Sequence, residues 1–335
     1  MYEAFYKLTV KPFQLNPDPN FYFGSRGHKR AMSYLEYGLH QGEGFIVITG
    51  EVGAGKTTLV RNLFLKLERD NVVGAQLVST QLDADEILRM VAASFGLAHE
   101  EVSKAVLLKK LERFLLACHK QGKRALLVVD EAQNLTQRAV EELRMLSNFQ
   151  MGEKSLMQSF LLGQPEFRQT LQGEGMQQLR QRVIASYHLG PMDAADTRSY
   201  IEHRLQTAGW VNDPSFSDSA HASIYDYTGG IPRRINTVCD RLMLMGYLEE
   251  KHAFDIGEVS EVVADLQREF NVPGAASDEL EKPVAENGAG LHSGTQLNRL
   301  DERVNQMEKS LVSVLNLSRE ILAFARTRGV RKERR

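Results

Sequence analysis

The nine residues GEVGAGKTT, 50 to 58, follow the apolar run FIVIT and open the amphipathic stretch KTTLVRNLFLKLERD. Few patterns restrict a fold so tightly. G-x-x-x-x-G-K-[ST] between a strand and a helix describes a loop that curls around a phosphate chain with its backbone N–H groups turned inward. Gly50, Gly53 and Gly55 are expected to permit the required backbone angles and to leave no Cβ in the way. Glu51, Val52, Ala54 and Thr58 complete the cradle. Lys56 is expected to reach the β- and γ-phosphates, and Thr57 to offer its hydroxyl to Mg²⁺. The helix beginning at 56 adds the positive end of its dipole to an anion site.

The surrounding pattern supplies a matching scaffold. Five apolar runs read as strands: 45–49, 72–79, 125–130, 157–163 and 184–189. Amphipathic helical stretches separate them. That alternation predicts an α/β fold, a three-layer arrangement with a mostly parallel sheet between helices. We assign this domain to residues 44–190. Residues 1–43 precede it as an extended segment, PFQLNPDPNFYF being too proline-broken for a helix, and a short helix over 29–40. From 191 to 271 the strand signals stop, and four helical stretches predict a small all-helical lid.

A second cluster would hold metal and activate water. RALLVVDEAQNL, 124–135, ends an apolar run on Asp-Glu. Asp130 is expected to bind Mg²⁺ through its water shell, and Glu131 to polarise the attacking water. The same letters suit helicases of the DEAD type, but those need a second domain of similar size where this chain has helices. Gln164 ends the fourth strand run, where an open parallel sheet places ligand contacts, and could orient water beside the γ-phosphate. Arg180 and Arg182 precede the fifth run, and either could project into a neighbouring subunit's nucleotide. On one helix they would point about 200° apart, so at most one serves.

TGGIPRRIN, 228–236, reads as a helix start with Pro232 in the first turn. At about 100° per residue, a face of Ile235, Val238, Leu242 and Met245 leaves Arg233 nearly opposite and Arg234 on its flank. Arg233 is therefore the expected γ-phosphate sensor and Arg234 a supporting charge. Phe13, Tyr22 and Phe23 are candidates to close over a base.

Beyond the lid, residues 272–296 are rich in Gly, Ala, Pro and Glu and read as a flexible linker. Leu297, Leu300, Val304, Met307, Leu311 and Val314 then alternate spacings of three and four, which predicts a coiled coil over 297–326 and a coiled-coil partner. Residues 327–335 are a basic tail. A net charge of −2 gives no general pull toward nucleic acid or anionic membrane. The N-terminal residues lack a signal-peptide pattern, and no apolar run is long enough to span a bilayer. Cys118 and Cys239 stand apart, without metal-binding spacing. The expected location is the cytoplasm.

Together the cradle, the Asp-Glu strand end, Gln164, the arginines before strand five and the lid arginine resemble the AAA+ P-loop ATPases, over roughly residues 1–270. DEAQNL, GQPEF, LRQR and GGIPRRIN look like the ExeA-type ATPases of general secretion. MYEAFYKL and PFQLNPDPNFYF look like the ATPases of PEP-CTERM/exosortase loci, implicated in export of exopolysaccharide or sorted surface proteins. The resemblance implies ATP binding and hydrolysis with Mg²⁺ in a homo-oligomer, an ATP-dependent hexamer being one form. It also implies a secretion or polysaccharide-export partner, met from the cytoplasmic side of the inner membrane. ExeA-type relatives continue into a transmembrane segment and a peptidoglycan-binding region, where this chain has the linker and heptads. Similar motifs occur in DNA-associated ATPases that regulate transposition. The near-neutral charge, the lack of a basic stripe and the lack of a winged-helix pattern after 191 speak against that reading.

Overall fold

Residue Phe45 begins a strand, β1 (Phe45–Gly50), that is buried along its whole length. Its apolar residues do not alternate with polar ones, so both of its faces must be covered. The computed structural model describes residues 1–16, 18–67, 71–78, 83–100, 102–152 and 154–270. The linker, the heptad run and the basic tail lie outside the described residues.

β1 is followed by β2 (Val72–Val78), β3 (Arg124–Asp130), β4 (Met157–Gly163) and β5 (Val183–Leu189). They form one parallel sheet in the order β2-β3-β4-β1-β5. Phe45 sits opposite Ser159 of β4 and Val183 of β5, and the β5 register shifts by one residue just after it, so that Ile46 faces Ala185. The carboxyl ends of β1, β3 and β4 open on one edge, the edge where open parallel sheets bind ligands.

Helices cover both faces. Ile46, Ile48, Leu126, Val128 and Phe160 pack with the apolar stripes of α2 (Arg26–Gln41) and α3 (Lys56–Leu67). Val47, Leu127, Val129 and Leu161 pack on the other side with α4 (Ala84–Ser94), α5 (Lys104–Lys120) and α6 (Gln137–Leu146). Helix α2 is longer than the expected 29–40 because Ser25 caps its start and left-handed Gly42 ends it. Two short helices lie between β4 and β5: α7 (Pro165–Gln172), which the sequence did not announce, and α8 (Gln177–Arg180). A small antiparallel hairpin, Gln150–Met151 with Lys154–Ser155, was likewise unannounced.

The expected lid helices are α9 (Ala194–Thr207), α10 (Asp218–Thr228), α11 (Pro232–Leu248) and α12 (Ile256–Phe270). The segment is not purely helical. Ser215–Phe216 and Ala253–Phe254 pair as two short parallel strands. Ile235, Val238 and Leu242 face its core as the helical phase requires, while Met245 is half-buried.

The N-terminal segment packs on these helices. Tyr2 of α1 (Tyr2–Phe5) is buried with Tyr6, Leu8, Phe13 and Phe21 in the same core as Ile201, Leu205 and Ile235. Tyr2 Oη donates to Asp240 Oδ1 at 2.5 Å, and Tyr6 Oη to the Lys251 carbonyl at 2.8 Å. Each buried ring is worth on the order of 2 kcal/mol. An exposed pair such as Lys11 with Glu3 contributes under about 1 kcal/mol. Apolar burial therefore holds this segment in place.

Candidate nucleotide site

Gly53 and Gly55 adopt φ of +82° and +96°, the region open to glycine at little cost. Gly50 does not. Its need for hydrogen in place of Cβ comes from packing, since a Cβ there would lie 2.6 Å from the Leu189 carbonyl oxygen at the end of β5. The expectation of special backbone angles at all three glycines is thus corrected at Gly50. Ala54 turns into the core beneath the loop, whereas Val52, Gly53, Gly55, Lys56, Thr57 and Thr58 line a cavity of about 530 Å³.

Lys56 is buried, 6% exposed, and its Nζ donates to the Gly50 and Glu51 carbonyls at 2.7 and 3.1 Å. Burial pushes its pKa below the ordinary lysine value, while the carboxylates of Glu131, Asp130, Glu51 and Glu166 oppose that shift. The structure brings the two expected metal-holding side chains together: Thr57 Oγ1 donates to Asp130 Oδ2 at 2.8 Å. Asp130, 2% exposed at the end of β3, also accepts from the Glu131 backbone N–H at 3.0 Å. A hydroxyl beside a carboxylate is an oxygen donor set that suits Mg²⁺. Glu131 adopts left-handed angles, φ 55° and ψ 40°, uncommon for a non-glycine residue and worth attention at a site.

Gln164, at the N-cap of α7, donates from Nε2 to Glu131 Oε2 at 3.3 Å. A second amide reaches the same oxygen: Gln133 Nε2 donates to it at 2.5 Å. Gln133 escaped the sequence reading, because one glutamine in a loop carries no spacing signal. Arg233 lines the cavity, and Arg234 is not among its lining residues. The Arg233 backbone N–H donates to the Gly53 carbonyl at 3.2 Å, and a Cβ on Gly53 would stand 2.4 Å from the Arg233 Cβ. The start of α11 thus rests on the glycine loop, with Arg233 on the cavity side.

The remaining wall is built from the N-terminal segment and the lid. Tyr22 and Phe23 line the cavity. Phe13 does not; it is 1% exposed within the lid core, so its candidacy to close over a base is withdrawn. Buried Arg204 of α9 donates to the Pro12 carbonyl at 2.5 Å and to Tyr200 Oη at 2.9 Å, tying the segment to the lid beside the cavity. His28, at the start of α2, reaches under the loop. Its Nε2 lies 3.1 Å from the Ala54 carbonyl and its Nδ1 2.7 Å from Ser25 Oγ. That pairing makes Nε2 the protonated nitrogen, and burial lowers the His28 pKa, keeping the ring neutral.

The two candidate finger arginines lie elsewhere. α8 ends at Arg180, so Arg182 is not on the helix and the 200° argument does not apply. Arg180 is exposed, and its Nη1 donates to the Leu171 carbonyl at 2.8 Å. Arg182 Nη1 donates to Ser147 Oγ at 2.9 Å. Neither lines the cavity of its own chain. Cys118 and Cys239 are buried free thiols.

Residues 39–171 match the family model for an AAA domain. Over 261 residues the chain is 38% identical to the general secretion pathway protein A of Aeromonas hydrophila. That match covers 78% of this chain and 47% of the relative, so the chain spans about half the relative's length. Among solved structures, Cdc6p of Pyrobaculum aerophilum superposes with a TM-score of 0.59 at 15% identity, covering 79% of this chain and 75% of that one. The Aeropyrum pernix ORC2 protein superposes with a TM-score of 0.58 at 16% identity, covering 76% and 71%. At such identities the likeness concerns the fold.

Proposed function

We propose that the chain, which matches an AAA-domain model over residues 39–171 and is similar to a general secretion protein, is an AAA+ P-loop ATPase whose ATP cycle drives or regulates an export system at the inner membrane. The observation that carries this reading is the 38% identity over 261 residues, 78% of the chain. The opening residues favour export of exopolysaccharide or sorted surface proteins. No helix among the described residues is long and apolar enough to cross a membrane. In cells carrying Lys56→Ala in place of the native residue, export through the associated system should fail. Normal export from such cells would exclude the reading.

In this proposal ATP binds between the sheet edge and the lid. The backbone N–H groups of residues 50–58 hold the phosphates, with Thr57 and Asp130 positioned for Mg²⁺. Glu131 takes the proton of the attacking water, and Gln164 orients that water. Arg233 meets the γ-phosphate from the lid, so that hydrolysis removes the contact and frees the lid to move. Arg233→Ala should slow hydrolysis about a hundredfold, and Arg234→Ala should leave it near the wild-type rate. Slowing by Arg234→Ala alone would show that the wrong arginine was chosen.

Arg180 or Arg182 acts on the nucleotide of a neighbouring subunit in a homo-oligomer. Their positions outside their own cavity favour that role. Arg180 is the better placed, being exposed and held, among the described residues, by two backbone carbonyls. Mixing Arg180→Ala subunits with Lys56→Ala subunits should restore part of the turnover at mixed interfaces. If neither this mixture nor its Arg182→Ala counterpart recovers activity, the trans role falls.

A further inference from the structure

The amide of Gln133 makes two bonds that join the two loops at the reacting end of the sheet. Gln133 lies in the short 3-10 turn Ala132–Asn134 directly after Glu131. Its Nε2 donates to Glu131 Oε2 at 2.5 Å, while its Oε1 accepts from the Gln164 backbone N–H at 3.0 Å. Gln164 Nε2 completes a ring by donating to the same Glu131 oxygen at 3.3 Å. Both amides thus converge on Oε2, and neither engages Oε1.

We propose that Gln133 is a positioning residue for ATP hydrolysis, fixing the Glu131 carboxylate by one oxygen so that the other faces the attacking water. This rests on the reading of Glu131 as the general base. The requirement for such a holder follows from the backbone. Glu131 sits at the turn out of β3 in left-handed angles, and its carboxylate is only half-buried. Packing alone does not fix a side chain in that setting. Gln164 is the weaker holder, at 3.3 Å, and in the proposed cycle it also has the water and γ-phosphate to orient. Gln133 is the shorter contact, and its own amide is anchored by a backbone N–H that belongs to the start of α7. An amide held at both ends has little rotamer freedom left, which is what a positioning contact needs. The two bonds also tie the turn after β3 to the start of α7.

Misplacement of a reacting group by about 1 Å can cost on the order of a hundredfold in rate. Gln133→Leu keeps the side-chain bulk and removes both polar ends. It should lower kcat about tenfold to a hundredfold, with KM for ATP and Tm unchanged. Gln133→Glu keeps the shape and replaces the donor by a carboxylate facing Glu131, and should lower kcat at least as much. The deciding comparison repeats Gln133→Leu in a Glu131→Gln background under single-turnover conditions. A residue that acts through Glu131 has nothing left to position there, so the second substitution should slow the reaction no further.

Wild-type kcat in folded Gln133→Leu or Gln133→Glu protein overturns the proposal while leaving the base assignment intact. An equal, additive loss in the Glu131→Gln background overturns it too, by showing an effect independent of Glu131. A wild-type rate for Glu131→Gln alone removes the base reading, and with it the premise of the proposal. If Gln133→Leu lowers Tm and raises KM together, its effect is structural, and the kcat of Gln133→Glu decides.

Discussion

Lys56→Ala protein is expected to show no measurable ATP binding at concentrations that saturate the wild type. The lysine is almost fully buried beneath the loop, and its ammonium already donates to two loop carbonyls, at 2.7 and 3.1 Å. When phosphates enter the cradle they offer that ammonium stronger, charged acceptors. A hydrogen bond to a charged group contributes about 1.5–3 kcal/mol, and Lys56 is expected to make one to each of the β- and γ-phosphates. Together these exceed about 3 kcal/mol, a loss of more than a hundredfold in affinity. Calorimetric titration with ATP and Mg²⁺ measures it, with Tm as the control for folding. Unchanged affinity in folded protein would remove Lys56, and the loop reading with it, from the nucleotide site.

Glu131→Gln should separate binding from chemistry. The amide has almost the shape of the carboxylate and can still meet Gln133 and Gln164, so the loops should stay in place. It cannot take a proton from water. General-base contributions of this kind are about 10²–10⁴-fold in rate, so kcat should fall by that factor while ATP affinity stays within about threefold. The variant should accumulate in the ATP-bound state, visible as retained unhydrolysed nucleotide after gel filtration. Turnover at the wild-type rate would mean that another group activates the water.

The parts of this site that could be read from the sequence are those where chemistry is tied to spacing. The glycine loop needs its residues at fixed intervals, and the five strand runs and four lid helices follow from hydrophobic period. The same period separated Arg233 from Arg234, and the structure puts only Arg233 on the cavity. Where no period exists the reading weakens. PFQLNPDPNFYF has aromatic residues but no repeat that says what they pack against, and Phe13 belongs to the lid core while Tyr22 and Phe23 line the cavity. The helix boundary after Arg180 carries no sequence signal, and it is what takes Arg182 off the helix. His28 and Gln133 act through tertiary contacts to Ala54, Glu131 and Gln164, which sequence spacing does not encode. At Gly50 the motif implies both permissive angles and the lack of a Cβ, and only the second applies, through the close approach of β5.

If ATP is turned over at interfaces between neighbouring subunits of an export-system oligomer, turnover depends on protein concentration and not on nucleic acid. The most direct measurement is the ATPase rate per subunit over a wide range of protein concentration, with and without double-stranded DNA. The rate should rise with concentration to a plateau and be the same in both series. A rate independent of concentration, or one raised by DNA, would contradict it.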